Sequence, residues 1–174
     1  MKIGIIGTRG IPNHYGGFEQ MAQYLSAGLS EKNHDVFVYN SHNHPYKEKS
    51  WNRVTIIRCK DPEYKIGTAG QFIYDLNCIN DARSRNFDVL LHFGYTSDSI
   101  WHRRWPKKNT INIVNMDGLE WKREKYSRPV KIFLKRTESL AAKNAAVLIA
   151  DSPGIQQYPL TKRNSQHHHP AHVD

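Results

Sequence analysis

The chain has 174 residues, 39% of them hydrophobic, and 25 lysines and arginines stand against 16 aspartates and glutamates for a formal net charge of +9. That length suits one domain with a real core, and the apolar content excludes a chain disordered throughout. The positive excess asks for an anionic partner, for which nucleic acid, an acidic lipid surface and a sugar nucleotide are the candidates.

The chain opens inside an apolar run with no charged leader, and no apolar stretch approaches the ~20 residues of a membrane-spanning helix, so a cytoplasmic location is expected. Residues 3–6 read as a buried strand that empties into a loop carrying Gly7, Gly10, Gly16 and Gly17. A helix from about 17 to 30 follows, opened by Phe18, Glu19, Met21 and Leu25. Strand, glycine-rich loop and helix is how α/β proteins bring backbone N–H groups up to a phosphate. The spacing is not the dinucleotide fingerprint, because Gly4, Gly7 and Gly10 give G-x-x-G-x-x-G rather than G-x-G-x-x-G. The next strand, 36–39, also ends in Asn40, Ser41 and His42 where a ribose-binding carboxylate would stand. Hydride transfer is therefore disfavoured. The plainer reading of the glycines is a tight strand-to-helix turn.

A polar, hairpin-like stretch rich in His and Asn comes next, then a strand at 54–59. A helix is predicted over about 70–85, with Phe72, Ile73, Leu76 and Ile79 on one side. After it come a strand at 89–92, a short helix near 97–105, a strand at 111–115, a long helix over about 129–143 and a strand at 146–150. The alternation predicts an α/β, Rossmann-like fold, a parallel sheet with helices on both faces, whose ligands gather beyond the carboxyl ends of the strands. Cys59 and Cys78 lack metal-ligand spacing and are expected to be buried, reduced thiols. His42-Asn43-His44 has no spaced third and fourth ligand, which argues against a metal site. His14, His92 and Tyr95 fall at candidate cleft positions, although a lone strand-end histidine is more often structural.

Basic residues cluster. Arg103, Arg104, Lys107 and Lys108 flank Trp101 and Trp105. On the long helix Val130, Phe133, Leu134, Leu140 and Ala141 line one face and Lys131, Lys135 and Arg136 another. Such a helix either lays its apolar stripe on the core or docks on an anionic bilayer. No helix-turn-helix, zinc finger or RNP-like strand is present, so nucleic acid is not the expected partner. A non-enzymatic basic module binding nucleic acid or an anionic membrane is the alternative to an enzyme.

The stretches IGIIGTRGIPNHYGGFEQMAQYLSAGL, DVLLHFGY, NMDGLEWKREKY and LIADSPGIQQY resemble the amino-terminal, acceptor-side half of retaining family 4 glycosyltransferases of GT-B type, closest to the bacterial rhamnosyltransferase subgroup. The resemblance implies transfer of a hexosyl or deoxyhexosyl unit from a nucleotide diphosphate sugar to a glycan or lipid-diphosphate-linked acceptor in bacterial polysaccharide assembly, without cofactor or bound metal. It implies that Gly16 and Gly17 approach the donor diphosphate with Arg9 beside them as a positive charge; the plain alternative for Arg9 is a salt bridge. Asp117 would orient or partly deprotonate the acceptor hydroxyl, or else cap a turn with Gly118. Glu120, Trp121, Lys122 and Arg123, with His14 and Tyr95, would hold the acceptor, unless Trp121 simply packs on its loop. The lipid-linked acceptor would place the enzyme peripherally on the inner face of the plasma membrane.

The likeness covers roughly residues 1–158. Residues 159–174, PLTKRNSQHHHPAHVD, carry no apolar periodicity and set Pro159 where a helix should continue. They are expected to be an aberrant, disordered tail from a shifted reading frame or a junction. The donor-binding domain would then be absent and the chain inactive alone.

Overall fold

In the computed structural model the described residues are 1–116, 118 and 120–150, with Glu120 described by its backbone only. Among them, seven strands form one sheet: β1 (Lys2–Ile6), β2 (Asp35–Ser41), β3 (Ser50–Trp51), β4 (Val54–Cys59), β5 (Val89–Phe93), β6 (Ile111–Met116) and β7 (Val147–Ala150). Their order is β3-β4-β2-β1-β5-β6-β7, and every pairing is parallel except β3 with β4. The helices are α1 (Gly17–Glu31), α2 (Glu63–Ile66), α3 (Ala69–Ala82) and α4 (Arg128–Asn144), with 3-10 turns at Ser99–Arg104 and Glu120–Lys122. This is the Rossmann-like α/β fold that the alternation predicts.

The central strand β1 shows why its sequence is apolar without alternation. Ile5 packs with Ala22, Val36, Val38, Leu91 and Phe93 on the α1 side, while Ile6 packs with Tyr39, Tyr74, Cys78 and Leu90 on the α3 side. A strand covered on both faces needs apolar side chains at every position. From β1 the chain steps outward through β2 and β4, then returns to lay β5 on the other side of β1. The strand order therefore reverses between β1 and β5.

Four local features differ from the sequence expectation. The polar stretch does form a hairpin, but with a short strand of its own, β3, turned by Asn52 and Arg53, both at positive φ (44 and 65). A single turn, α2, precedes α3. On α3 the buried face is Tyr74, Asp75, Cys78, Ile79 and Ala82, while Ile73 is 42% exposed. The helix is rotated because the Tyr74 hydroxyl reaches inward to the carbonyls of Thr8 and Tyr39, both at 3.1 Å. On α4 the buried stripe is Leu134, Thr137, Glu138 and Ala141, which leaves Val130, Ile132 and Phe133 exposed.

Candidate functional site

The glycines of the first loop fall into two kinds. Gly7 has φ +86, and a Cβ there would lie 2.3 Å from the Phe93 carbonyl oxygen. Gly10 has φ +124, and a Cβ would lie 2.3 Å from the Asn40 side-chain amide carbon. Both are demanded by the turn itself. Asn40, fully buried, closes that turn: its Oδ1 accepts the Ile11 N–H at 3.1 Å and its Nδ2 donates to the Ile11 carbonyl at 2.7 Å. A carboxylate could not do both. The penultimate residue of β2 is thus committed to the loop.

Gly16 and Gly17 are different. Gly16 is extended, at φ −163, and a Cβ there would meet only the Glu19 carboxylate at 3.3 Å; around Gly17 nothing lies within 4 Å. Neither backbone angle nor packing asks for glycine at either position. Gly16 is the N-cap of the 15-residue α1, and no side chain caps that helix. The first-turn N–H groups, which no helix can satisfy internally, are left open with the positive end of the helix dipole behind them.

Both glycines line a cleft of about 200 Å³. Arg9, Tyr15 and Glu19 join them from the loop and α1, Gln71 and Asp75 from α3, and Phe93 through Asp98 from the end of β5 and the segment after it. The cleft therefore sits where the strand order reverses, the place at which open α/β sheets hold ligands.

The Arg9 guanidinium lines this cleft already paired: Nε and Nη2 donate to the Glu63 carboxylate at 3.1 and 2.7 Å, and the group lies 4.4 Å from the Tyr15 ring centre. The Arg9 backbone N–H donates to Glu19 at 2.8 Å, tying the loop to α1. Tyr95 is fully buried in the cleft floor, its hydroxyl donating to the Gly118 carbonyl at 3.0 Å. His14 is exposed and sets its ring edge-on to His44, 4.3 Å between centres, away from the residues that line the cleft. Burial, with His14 next to it, holds His44 below the usual imidazole range.

Trp121 is fastened to α4. Its Nε1 donates to the buried Glu138 at 2.7 Å, and the ammonium groups of Lys122 and Lys135 lie 5.5 and 5.1 Å from its ring centre. Arg123 is exposed, and its carbonyl accepts from the Tyr126 N–H at 3.4 Å. Trp121, Lys122 and Arg123 are not among the described residues that line the cleft. Asp117 lies outside the described residues, as does the side chain of Glu120.

Sequence reading placed Tyr95 and His92 near the cleft but missed Asp75 and Asp98, which line it. His92, fully buried, shares a short hydrogen bond from Nδ1 with Asp98, and its Nε2 meets Asn112 Oδ1 at 3.0 Å. Asp75 accepts the Ser97 hydroxyl. Burial first, and the neighbouring Asp98 second, push the Asp75 carboxyl up to about 8, so that it holds a proton at neutral pH. An aspartate on the apolar face of α3 was the available signal. Cys59 and Cys78 are both buried and free, and burial holds Cys78 as the thiol. Among the described residues no group of three His, Cys, Asp or Glu side chains is placed to hold a metal ion. No helix there is long and apolar enough to cross a membrane.

A family described as a domain of unknown function, DUF1972, matches residues 1–170. The chain belongs to that family. No curated protein sequence matches this DUF1972 chain. Its fold is similar to that of sucrose-phosphate synthase from Thermosynechococcus elongatus, with a TM-score of 0.72 over 92% of this chain and 16% sequence identity. The chain spans 44% of the length of that structure. The likeness is one of fold, and agrees with a Rossmann-like α/β domain. The family match also runs past residue 158, into a segment that lies outside the described residues.

Proposed function

We propose that this DUF1972 domain is the acceptor-side lobe of a glycosyltransferase, one that moves a hexosyl or deoxyhexosyl unit, rhamnosyl among them, from a nucleotide diphosphate sugar to a glycan or lipid-linked acceptor. The observation that carries the reading is the open pair Gly16 and Gly17 at the uncapped start of α1, facing a cleft at the strand-order reversal. A diphosphate brought there meets backbone N–H groups with no Cβ in the way. At about 200 Å³ the cleft is smaller than the ~300 Å³ at which small-molecule pockets begin, so it holds part of such a ligand. The nucleotide belongs to a second lobe, and turnover needs both. Asp117 remains in this reading the carboxylate that orients the acceptor hydroxyl.

The test is amide NMR with inorganic pyrophosphate. Saturable movement of the Gly16, Gly17 and Phe18 signals is expected, weakened at least about tenfold, or ~1.4 kcal/mol, by Gly17→Asp. An acidic residue suits the first turn of a helix, so this variant should melt no lower than the parent while repelling the anion. Pyrophosphate that leaves these amides unmoved overturns the reading. Salt-sensitive retention of oligonucleotides in its place would favour the nucleic-acid alternative.

A lipid-linked acceptor draws support from α4. Val130, Ile132 and Phe133 are 39%, 56% and 37% exposed, beside Lys131, Lys135 and Arg136. An apolar and basic surface of this kind suits an anionic bilayer. The protein should sediment with vesicles containing phosphatidylglycerol and not with phosphatidylcholine alone, and Ile132→Glu should release it at least about threefold, since burying one such side chain contributes ~1.5–3 kcal/mol. Equal recovery with both lipids removes the membrane from the proposal.

A further inference from the structure

The floor of the cleft holds a buried carboxylate with one oxygen that the fold leaves without a partner. Asp98 is 3% exposed and lines the cleft; its Oδ2 bonds His92, while its Oδ1 has no hydrogen-bond partner. A buried carboxylate oxygen left unmatched costs about 1–3 kcal/mol, so natural folds seldom leave one without a reason.

The partners behind Asp98 fix how many protons it has. Asn112 Nδ2 donates to the Pro106 carbonyl at 2.7 Å, which turns its Oδ1 toward His92 Nε2 at 3.0 Å. An amide oxygen only accepts, so Nε2 carries a hydrogen. The short contact between His92 Nδ1 and Asp98 Oδ2 then needs one shared proton, and the pair is neutral overall wherever that proton sits. On the adjoining wall Ser97 donates to Asp75. A floor made of a neutral Asp75 carboxyl and a His92–Asp98 pair without net charge adds little repulsion toward a neighbouring diphosphate, yet it still presents hydrogen-bonding oxygens.

We propose that this floor is a sugar-hydroxyl subsite, in which Asp98 Oδ1, held by His92 and Asn112, accepts the hydrogen bond of a ring hydroxyl on the diphosphate sugar anchored at Gly16 and Gly17. The assignment rests on the glycosyltransferase reading above and deepens it. An oxygen acceptor backed by a shared proton suits a neutral polyol, and a cleft of about 200 Å³ is too small for a whole sugar nucleotide. Asp98 is here a binding residue, and His92 a positioning residue acting through it.

The experiment compares uridine diphosphate with UDP-glucose and UDP-galactose, and thymidine diphosphate with dTDP-rhamnose, on the intact chain. At least one sugar should bind about threefold or more tighter than its bare diphosphate. Asp98→Ala should abolish that increment while pyrophosphate affinity stays within twofold. Asp98→Asn, which can donate to His92 and keep one side-chain oxygen, should retain most of it. Should the alanine variant fold poorly, the wild-type protein still decides: the ¹⁵N signal of His92 Nδ1 should move saturably with the sugar nucleotide and not with the bare diphosphate. Normal diphosphate binding with no sugar increment, or a His92 signal that stays still, overturns the subsite and leaves the proposed function standing. Loss of pyrophosphate binding itself would strike the proposed function.

Discussion

Gly7→Ala is expected to lower the melting temperature by roughly 6–12 °C, whereas Gly17→Ala should leave it unchanged or raise it slightly. At Gly7 two costs combine. The left-handed φ of +86 is worth about 1–2 kcal/mol against any residue with a Cβ. The added carbon would also lie 2.3 Å from the Phe93 carbonyl oxygen, and that is backbone of the neighbouring strand β5, which pairs with β1. A flexible side chain could swing aside; a strand in mid-sheet cannot, and overpacking of this kind costs another 1–3 kcal/mol or so. At Gly17 the same carbon meets nothing, the residue is helical, and losing glycine's unfolded-state freedom is worth about 0.4–1 kcal/mol in the other direction. Thermal melts of the two variants followed by circular dichroism settle the matter. Equal destabilisation would make Gly16 and Gly17 turn residues like the others, and the argument from an open helix start would fail with them.

The same contrast shows what sequence could and could not reveal. Strand and helix order was legible because burial on both faces leaves long apolar runs such as residues 3–6, and because each helix start follows a loop of turn residues. What sequence does not record is which glycine answers to the fold and which to a ligand, since that depends on Phe93 and Asn40 arriving from other strands. Rotation of α3 was misjudged because Ile73 and Phe72 weigh more on a hydropathy pattern than Tyr74 and Asp75, although the latter two carry the inward hydrogen bonds. Among the residues expected at the site, Gly16, Gly17, Arg9 and Tyr95 converge on the cleft, while His14 and Trp121 find partners elsewhere. Asp75 and Asp98 went unread because aspartates normally signify surface; only burial together with a proton shared with a neighbour makes them floor.

Asp75→Asn should flatten the fall of stability with pH. The folded carboxyl is pushed up to about 8, chiefly by burial and then by the nearby Asp98, whereas in the unfolded chain it returns to the ordinary carboxylate range. Between about pH 4 and pH 8 the native state therefore holds a proton that the unfolded chain has released. The sign follows: the contribution is fully present below the unfolded value and is lost as pH rises toward the folded one, at up to about 1.4 kcal/mol per pH unit. An asparagine has no proton to lose, and its amide oxygen can still accept the Ser97 hydroxyl. Denaturant unfolding at pH 5 and pH 8 should show the parent losing on the order of 3 kcal/mol more than the variant. Every other ionisable group is common to both proteins and cancels. The cleft gives the same prediction a second reading. Above about pH 8 the parent gains a negative charge close to Gly16 and Gly17 and should bind pyrophosphate more weakly, while Asp75→Asn should not. Parallel stability curves would mean that Asp75 ionises like a surface carboxylate, and the floor beneath the diphosphate would then be charged at neutral pH.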